Sequence, residues 1–283
     1  MTGGRKRIGV VAPSTRLTDG VAEAVTALAA ELYGERAPEI RFHPQCWFSY
    51  GHFAGDDNAR AEAFLEVAND PACDALWFAR GGYGCGRLIE RVLPRLTDAA
   101  RAKAYLGYSD AGAMLSALHR NGFGGAAHGP MPNDVLREGG RAAVARSLRW
   151  LAERDPAGLE PSLKPGLKPR VRPLAFNMAI LSSLIGTPWE PDFEGRVVML
   201  EEVGEYMYRI DRFLFHITGS PRFRTAAGLM LGRCSAIPEN DPDFGRDEEE
   251  IAREWCERSG VPYLGRADIG HDGANKIVPF DGV

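Results

Sequence analysis

The sequence lacks a long hydrophobic run, since no apolar stretch approaches the roughly 20 residues that a helix needs to cross a bilayer. The apolar run behind the basic N-terminus, 8–12, is too short for the core of a signal peptide. The chain also lacks excess positive charge, because its net charge of −4 offers nothing to attract nucleic acid or an anionic membrane. We therefore expect a cytoplasmic protein that binds neither nucleic acid nor a membrane.

The sequence has few cysteines, and their spacing argues against two kinds of stabilised fold. The five cysteines are odd in number, lie far apart and include no C-x-x-C pair. This pattern argues against a disulfide framework and against a zinc site built on cysteine ligands. The chain is nevertheless long enough, at 283 residues, to bury a large core without such staples.

The first half of the chain alternates short apolar runs with helical patterns. The predicted strands cover 8–12, 75–79, 104–106 and 125–128, and the predicted helices cover 21–32, 60–68, 88–93, 111–120 and 142–151. This alternation favours a parallel sheet with helices on both faces. We therefore predict an α/β domain over 1–154.

A segment rich in proline and glycine, 155–173, follows this domain and is predicted to be a linker, because it can neither continue a helix nor lie inside a sheet. Residues 174–283 are predicted to form a smaller α/β or mainly β domain. Its predicted elements are strands at 197–200 and 229–231, helices at 178–184 and 210–217, and a helix with a capping box at Asp247 and Glu250. The cleft between two such domains is a preferred ligand site.

Ser109 follows a short apolar run that ends in glycine and precedes a helical pattern. The spacing Gly107-x-Ser109-x-Ala111 is close to the G-x-S-x-G elbow of serine hydrolases, with alanine in place of the last glycine. Such a corner exposes the hydroxyl and leaves free N–H groups that stabilise an oxyanion. A serine N-cap followed by Asp110 in the first helical turn explains the same residues. Both interpretations stay open on the local pattern.

A nucleophilic serine needs a base and a group that orients the base. Of the six histidines, His128 ends a predicted strand, and His271 lies in a glycine-flanked loop that can present its ring to a cleft. Glu201 or Glu202, at the end of a predicted strand, could fix the tautomer of either ring. The alternatives are an ordinary turn histidine and an exposed acidic turn.

The loop 80–86, with the sequence Arg-Gly-Gly-Tyr-Gly-Cys-Gly, follows a predicted buried strand. It is not a phosphate loop, because it has neither the G-x-G-x-x-G spacing nor a P-loop lysine. Cys85 at the start of a helix would be a second candidate nucleophile. Alternatively, the N–H groups of this loop would supply an oxyanion donor for Ser109.

Six segments in this order resemble the LD-carboxypeptidases, a family of serine peptidases that includes muramoyl-tetrapeptide carboxypeptidase and the microcin C immunity peptidase. The similarity covers nearly the whole chain, from Ile8 to Phe280. The segments are Arg80-Gly81-Gly82-Tyr83-Gly84, Gly107-Tyr108-Ser109-Asp110, His128-Gly129-Pro130, Leu200-Glu201-Glu202-Val203-Gly204-Glu205, Tyr208-Arg209-Ile210-Asp211-Arg212 and Gly270-His271.

The resemblance implies a flavodoxin-like or amidotransferase-like N-terminal domain with a parallel sheet and a smaller β-rich C-terminal domain. It implies a triad of Ser109, Glu201 and His271, with Glu201 preferred to Glu202. It also implies oxyanion donors at the backbone N–H groups of Gly82 and Asp110, and neither a metal nor a cofactor.

The implied reaction is hydrolysis of an L,D peptide bond, most simply release of D-alanine from a murein tetrapeptide in peptidoglycan recycling. The implied partners are a small peptide substrate and a second copy of the chain in a homodimer. One rival function is an immunity-type peptidase that cleaves aminoacyl-nucleotide conjugates. A rival of another class is a two-lobed protein that binds a small molecule without turnover.

The residues that recognise the substrate are those that the sequence predicts least precisely. Arg80 and the basic linker residues Lys168, Arg170 and Arg172 are candidates for binding a free carboxylate. Phe176 stands where the family commonly has glycine, and we expect it at the mouth of the site. Trp189 and Phe176 are the candidates for an aromatic platform under a nucleobase.

Overall fold

Two β-sheets form the centre of the fold. The structure is a computed structural model that describes residues 5–164 and 172–282. Its strands are β1 (Arg7–Val11), β2 (Glu39–Phe42), β3 (Ala75–Phe78), β4 (Ala104–Gly107), β5 (Ala126–His128), β6 (Pro173–Asn177), β7 (Val197–Val203), β8 (Gly228–Ser235), β9 (Tyr263–Arg266) and β10 (Val278–Pro279).

The first sheet has six strands in the order β2-β1-β3-β4-β5-β10. The first five strands are parallel, and only β10 runs antiparallel, beside β5. The order 2-1-3-4-5 is that of flavodoxin-like folds. The predicted α/β fold with a flavodoxin-like parallel sheet is therefore confirmed.

Helices cover both sheets. They are α1 (Val21–Tyr33), α2 (Asp57–Asn69), α3 (Ile89–Val92), α4 (Asp98–Arg101), α5 (Ala111–Arg120), α6 (Gly140–Glu153), α7 (Met178–Leu184), α8 (Met207–Gly219) and α9 (Glu248–Ser259). The central strands β3 and β4 are buried along their whole length, as strands covered on both faces must be. The predicted capping box is present at the start of α9, where Asp247 and Glu250 bond each other's backbone N–H groups.

The second sheet is smaller and has four parallel strands in the order β6-β7-β8-β9. One hydrophobic cluster contains buried residues of both sheets and of the helices between them. Within it, the rings of Phe176 on β6 and Phe280 after β10 lie 5.3 Å apart. The two sheets therefore share a core.

The described part of the predicted linker packs against the rest of the molecule. Leu159 and Glu160 are buried, and the N–H of Glu160 donates to the carbonyl of Ile277 at 3.0 Å. In addition, β10 belongs by sequence to the predicted second domain but joins the first sheet. The domain boundaries at 154 and 174 stay a prediction.

Candidate active site

Ser109 lies at the corner between β4 and α5. Its φ of +59° is left-handed, a conformation that non-glycine residues seldom adopt and that recurs at functional sites. Gly107 makes the corner possible, because a Cβ there would lie 2.9 Å from the Cβ atoms of Ala111 and Phe78. Asp110, not Ser109, occupies the N-cap position of α5, and no side chain caps this helix. The alternative of a capping serine therefore does not describe this corner.

The carboxylate of Asp110 points away from the solvent and ties the corner to the neighbouring loop. It accepts hydrogen bonds from the Ser14 hydroxyl and, at 2.8 Å, from the backbone N–H of Cys85. Burial raises the pKa of Asp110, although both hydrogen bonds oppose the rise. The side chain of Asp110 therefore has a structural role, and its backbone N–H is the group that lies at the corner next to Ser109.

The loop after β3 approaches the hydroxyl of Ser109 closely. A Cβ added to Gly81 would lie 2.9 Å from Ser109 Oγ, so only glycine leaves room for the hydroxyl at this position. Gly82 has a φ of +119°, which again favours glycine. Because β3 and β4 are neighbouring parallel strands, their carboxyl ends bring this loop and Ser109 to the same edge of the sheet.

The interpretation of Cys85 as a nucleophile is wrong. Its side chain is completely buried. Burial, followed by the negative charge of Asp110, raises the pKa of the Cys85 thiol well above its usual value. A thiol that stays protonated and has no access to solvent is not activated for attack.

Glu201 and His271 meet, although one lies on β7 and the other in the loop between β9 and β10. The His271 Nδ1 atom is in hydrogen-bond contact with the carboxylate of Glu201, which is fully buried. The neighbouring carboxylate of Glu202 is used elsewhere: it accepts from Asn177 Nδ2 at 2.6 Å and from the N–H of Ala179 at 2.9 Å. Of the two glutamates left open by the strand pattern, Glu201 is the one that contacts His271.

Two opposing effects act on the pKa of His271. Burial lowers it, but the charge of Glu201 and the hydrogen bond from the imidazole to it outweigh burial, so the net pKa lies above the usual value. The contact with Glu201 also places the proton on Nδ1 and leaves Nε2 unprotonated in the neutral ring. His271 therefore has a fixed tautomer, in which Nε2 can accept a proton.

Side chains from both sheets hold the loop that carries His271. Arg233 on β8 forms an ion pair with Asp272, the next residue in the loop. Asn275 accepts at Oδ1 from the N–H of Gly270 at 3.2 Å, and His128 Nε2 lies 3.1 Å from the same oxygen. The residues before and after His271, Gly270 and Asp272, are thus both held by hydrogen bonds or an ion pair.

His128 is buried among these groups. Burial lowers its pKa to about 4, against the opposing charge of Glu201. Its Nε2 atom faces Asn275. Among the described residues neither His128 nor His271 forms a hydrogen bond to Ser109, but His271 lines one cavity with Ser109 and His128 does not. Of the two candidate histidines, His128 therefore braces the loop, and His271 is the one beside the corner.

A cavity of about 250 Å³ opens between Ser109 and His271. The predicted residues Arg80 and Gly82 line it, together with several residues that the sequence did not single out for this site. These are Gly81, Tyr108, Met131, Asn133, Asp134, Arg137 and Val203.

The two predicted aromatic contacts are corrected by the structure. Phe176 is 1% exposed and packs in the core against Phe280, because β6 lies inside the second sheet. Trp189 is partly buried against the same core and does not line the cavity. Arg172 is exposed and does not line it either, and Lys168 and Arg170 lie outside the described residues.

Comparison with known proteins decides the family. The model of the LD-carboxypeptidase N-terminal domain matches residues 8–129, and that of the C-terminal domain matches residues 174–283. The chain belongs to the LD-carboxypeptidase family. Murein tetrapeptide carboxypeptidase of Pseudomonas aeruginosa is 29% identical over 97% of this chain and 91% of its own length. Membership identifies the protein as a serine peptidase of the carboxypeptidase type.

Solved structures of the family share the fold. Muramoyltetrapeptide carboxypeptidase from Oxalobacter formigenes matches with a TM-score of 0.78 at 23% identity, over 97% of this chain and 93% of that one. The microcin C7 self-immunity protein in complex with aspartyl sulfamoyl adenosine matches with a TM-score of 0.77 at 18% identity, over 98% and 91%. At these identities the likeness extends to the fold alone.

Within residues 5–164 and 172–282, no cluster of three or more histidine, cysteine or acidic side chains has the geometry to hold a metal ion. Over the same residues, no helix is both long and apolar enough to span a membrane.

Proposed function

We propose that this protein is a serine carboxypeptidase that hydrolyses an L,D peptide bond and releases D-alanine from a murein tetrapeptide during peptidoglycan recycling. The observation that carries the proposal is that His271, which contacts the buried Glu201, lines one cavity with Ser109, whose backbone has a φ of +59°. Family membership and the murein tetrapeptide carboxypeptidase relative support the substrate. We also propose that the protein is cytoplasmic and that it forms a homodimer. Light scattering tests the homodimer directly.

In the proposed mechanism, Ser109 Oγ attacks the carbonyl carbon of the scissile bond while His271 Nε2 takes the hydroxyl proton. Glu201 holds Nδ1–H and stabilises the imidazolium. The oxyanion of the tetrahedral intermediate accepts hydrogen bonds from the N–H groups of Gly82 and Asp110. Collapse of the intermediate breaks the C–N bond, and His271 donates its proton to the leaving amine. Water then attacks the acyl-enzyme with the same base and frees Ser109.

A carboxypeptidase must also hold the carboxylate of the residue that it releases. Arg80 lines the cavity beside Ser109, and its guanidinium donates to the carbonyl of Arg16 at 3.1 Å. Arg80 forms no ion pair among the described residues, because Asp134, the acidic residue of the cavity lining, pairs with Arg137, so the charge of Arg80 is available to a substrate. The charge of Arg80 therefore favours a peptide that ends in a free acid.

Selectivity for the L,D bond has a physical basis in placement. Inverting the leaving residue exchanges the positions of its side chain and carboxylate, so the scissile carbonyl no longer meets both Ser109 and the oxyanion donors. A misplacement of about 1 Å can cost about 10²-fold in rate. We therefore expect rapid release of D-alanine from the tetrapeptide and slow release of L-alanine from its diastereomer.

The same assay tests the rival functions. Equal release from both diastereomers would contradict the LD-carboxypeptidase reaction. Cleavage of an aminoacyl sulfamoyl-adenosine without cleavage of tetrapeptides would support the immunity-type function. Failure of Ser109 to react with a fluorophosphonate probe, combined with tight binding of a ligand without turnover, would support the two-lobed binding protein.

A further inference from the structure

Arg137 is a residue of the cavity that no motif pointed to. It follows the turn Pro132–Leu136, and its side chain is 42% exposed. Its Nη1 atom donates to the Tyr108 hydroxyl at 2.8 Å and to the backbone carbonyl of His271 at 2.9 Å. One guanidinium nitrogen thus connects the residue before Ser109 with the candidate base itself.

The other two nitrogen atoms of the Arg137 guanidinium, Nε and Nη2, make no contact of this kind among the described residues. Its ion pair with Asp134, at 3.3 Å, also runs through Nη1. Among the described residues, Nε and Nη2 donate to no other group. A guanidinium carries five N–H donors in a planar fork, and the Nε and Nη2 edge matches the two oxygens of a carboxylate. That edge is fixed in place by the bonds of Nη1.

The charged groups that line the cavity include more positive than negative charge, which one more anion would balance. The carboxylate of Asp134 already accepts from the Tyr108 hydroxyl at 3.0 Å and from the N–H of Met131 at 2.8 Å. Two guanidinium groups, of Arg80 and Arg137, face this single carboxylate in the lining. Burial and then the positive charge of Arg137 lower the pKa of Arg80, so the two arginines repel each other. An anion between them would remove that repulsion.

We propose that Arg137, rather than Arg80, makes the bidentate bond to the terminal carboxylate of the substrate, through Nε and Nη2. This inference rests on the proposed function, because it places the carboxylate of the released residue next to the scissile bond. Since Nη1 contacts both Tyr108 and the backbone of His271, a carboxylate bound to the opposite edge also fixes the spacing of Ser109 and His271. A peptide without a free carboxylate lacks both effects.

Binding to the Ser109→Ala variant tests the proposal without turnover. The ligands are a murein tetrapeptide that ends in D-alanine and the same peptide as its C-terminal amide, and calorimetry gives the two dissociation constants. A charge-assisted bidentate pair predicts that the acid binds about 100-fold more tightly than the amide. Arg137→Gln in this background is expected to reduce the ratio to less than about 10-fold, and Arg137→Lys to an intermediate value because lysine keeps the charge and loses the fork.

Arg80→Gln is the matched control, because it removes a charge from the same cavity. It is expected to weaken both ligands and to keep an acid preference above about 10-fold, as a charge acting without a bidentate bond does. The proposal is overturned if Arg137→Gln keeps the full preference, or if Arg80→Gln alone abolishes it. The ratio is internal to each variant, so a general loss of affinity does not affect it.

A measurement on the unsubstituted side chain covers the case in which Arg137→Gln does not fold. The acid, but not the amide, should shift the Arg137 Nε–H resonance in ¹⁵N spectra of the Ser109→Ala protein, and equal shifts overturn the proposal. The reaction and the carboxylate site fail separately. A protein that hydrolyses no tetrapeptide, yet shows a preference that depends on Arg137, contradicts the reaction alone. D-Alanine release with a preference independent of Arg137 contradicts the site alone.

Discussion

His271 and Glu201 are in hydrogen-bond contact although 70 positions separate them in the chain. Glu201 extends from β7 of the second sheet, and His271 lies in the loop that returns from β9 to the first sheet. A fully buried carboxylate without a partner would be costly, and the imidazole is its hydrogen-bond partner. The contact therefore stabilises the charge of Glu201 and, in return, sets the tautomer and the basicity of His271.

The first prediction concerns the pH dependence of hydrolysis. His271 must be neutral to accept the proton of Ser109, so kcat/KM should rise with pH through the pKa of His271. Because the charge of Glu201 outweighs burial and raises this pKa, the midpoint should lie above the ordinary histidine value of about 6.5. Glu201→Gln removes the charge and leaves burial, so the midpoint should move below that value. The maximal rate should fall by about 10²–10⁴-fold, as when a triad carboxylate is neutralised.

Glu202→Gln is the control for this experiment, since it alters the adjacent carboxylate on the same strand. Glu202 accepts hydrogen bonds from Asn177 and from the N–H of Ala179 at the start of α7, so its loss should lower stability. The pH midpoint should stay near that of the unaltered protein. A midpoint that shifts in Glu202→Gln and not in Glu201→Gln would contradict the pairing of Glu201 with His271.

The second prediction concerns the nucleophile. Ser109→Ala should reduce hydrolysis by several orders of magnitude, because loss of a nucleophile removes the covalent path. The melting temperature should change little, since the Ser109 side chain neither caps α5 nor forms another hydrogen bond among the described residues. Cys85→Ser, at the other candidate of the sequence, should keep nearly full activity. Retention of more than about a tenth of the rate in Ser109→Ala would mean that Ser109 is not the nucleophile.

The third prediction uses two glycines that differ in what surrounds them. Gly81→Ala would place its Cβ 2.9 Å from Ser109 Oγ, so kcat should fall while the free energy of unfolding changes little. Gly107→Ala would instead meet the Cβ atoms of Ala111 and Phe78 at 2.9 Å, inside the core. That variant should lose stability by about 1–3 kcal/mol, as overpacked cores do. Urea unfolding and initial rates, measured on both variants, separate the two effects.

Much of the fold was predictable because apolar patterning reports burial. The buried strands β3 and β4 lie within or close to the predicted segments. The edge strand β2 was missed because its Glu39 and Arg41 pair with each other on the surface, which breaks the apolar run. The strand β6 was missed because it begins at Pro173, in a segment predicted to be a linker, although a proline is tolerated as the first residue of a strand.

Residues of the candidate site could be predicted only where they belong to a recognisable motif. Short glycine and serine patterns pointed to Ser109 and to the loop 80–86, and the family resemblance selected Gly82, Glu201 and His271; their catalytic roles stay predictions. Arg137 was missed because it lies in a turn without a recognisable pattern, and only folding brings it to the cavity. Phe176 was misplaced because its identity, an aromatic in place of glycine, says nothing about the core that forms around β6.

The last prediction separates the two histidines that the sequence left as candidates. The backbone N–H of Gly270 can only donate, so it fixes Oδ1 of Asn275 as an acceptor, and His128 Nε2 must then be the donor to the same oxygen. With a pKa of about 4, His128 stays neutral at the pH of the reaction and can serve as this donor throughout. His128 should therefore act only by positioning the loop that carries His271.

Two substitutions of His128 distinguish positioning from proton transfer. His128→Phe removes the donor, so kcat should fall by about 10–100-fold with little change in KM, as losses of supporting hydrogen bonds do. His128→Gln offers an amide N–H at a similar reach and should restore most of kcat, with the pH midpoint of the unaltered protein, because His271 still provides the titrating group. If His128 were the base, glutamine would abolish activity as completely as phenylalanine, since neither side chain accepts a proton near neutral pH.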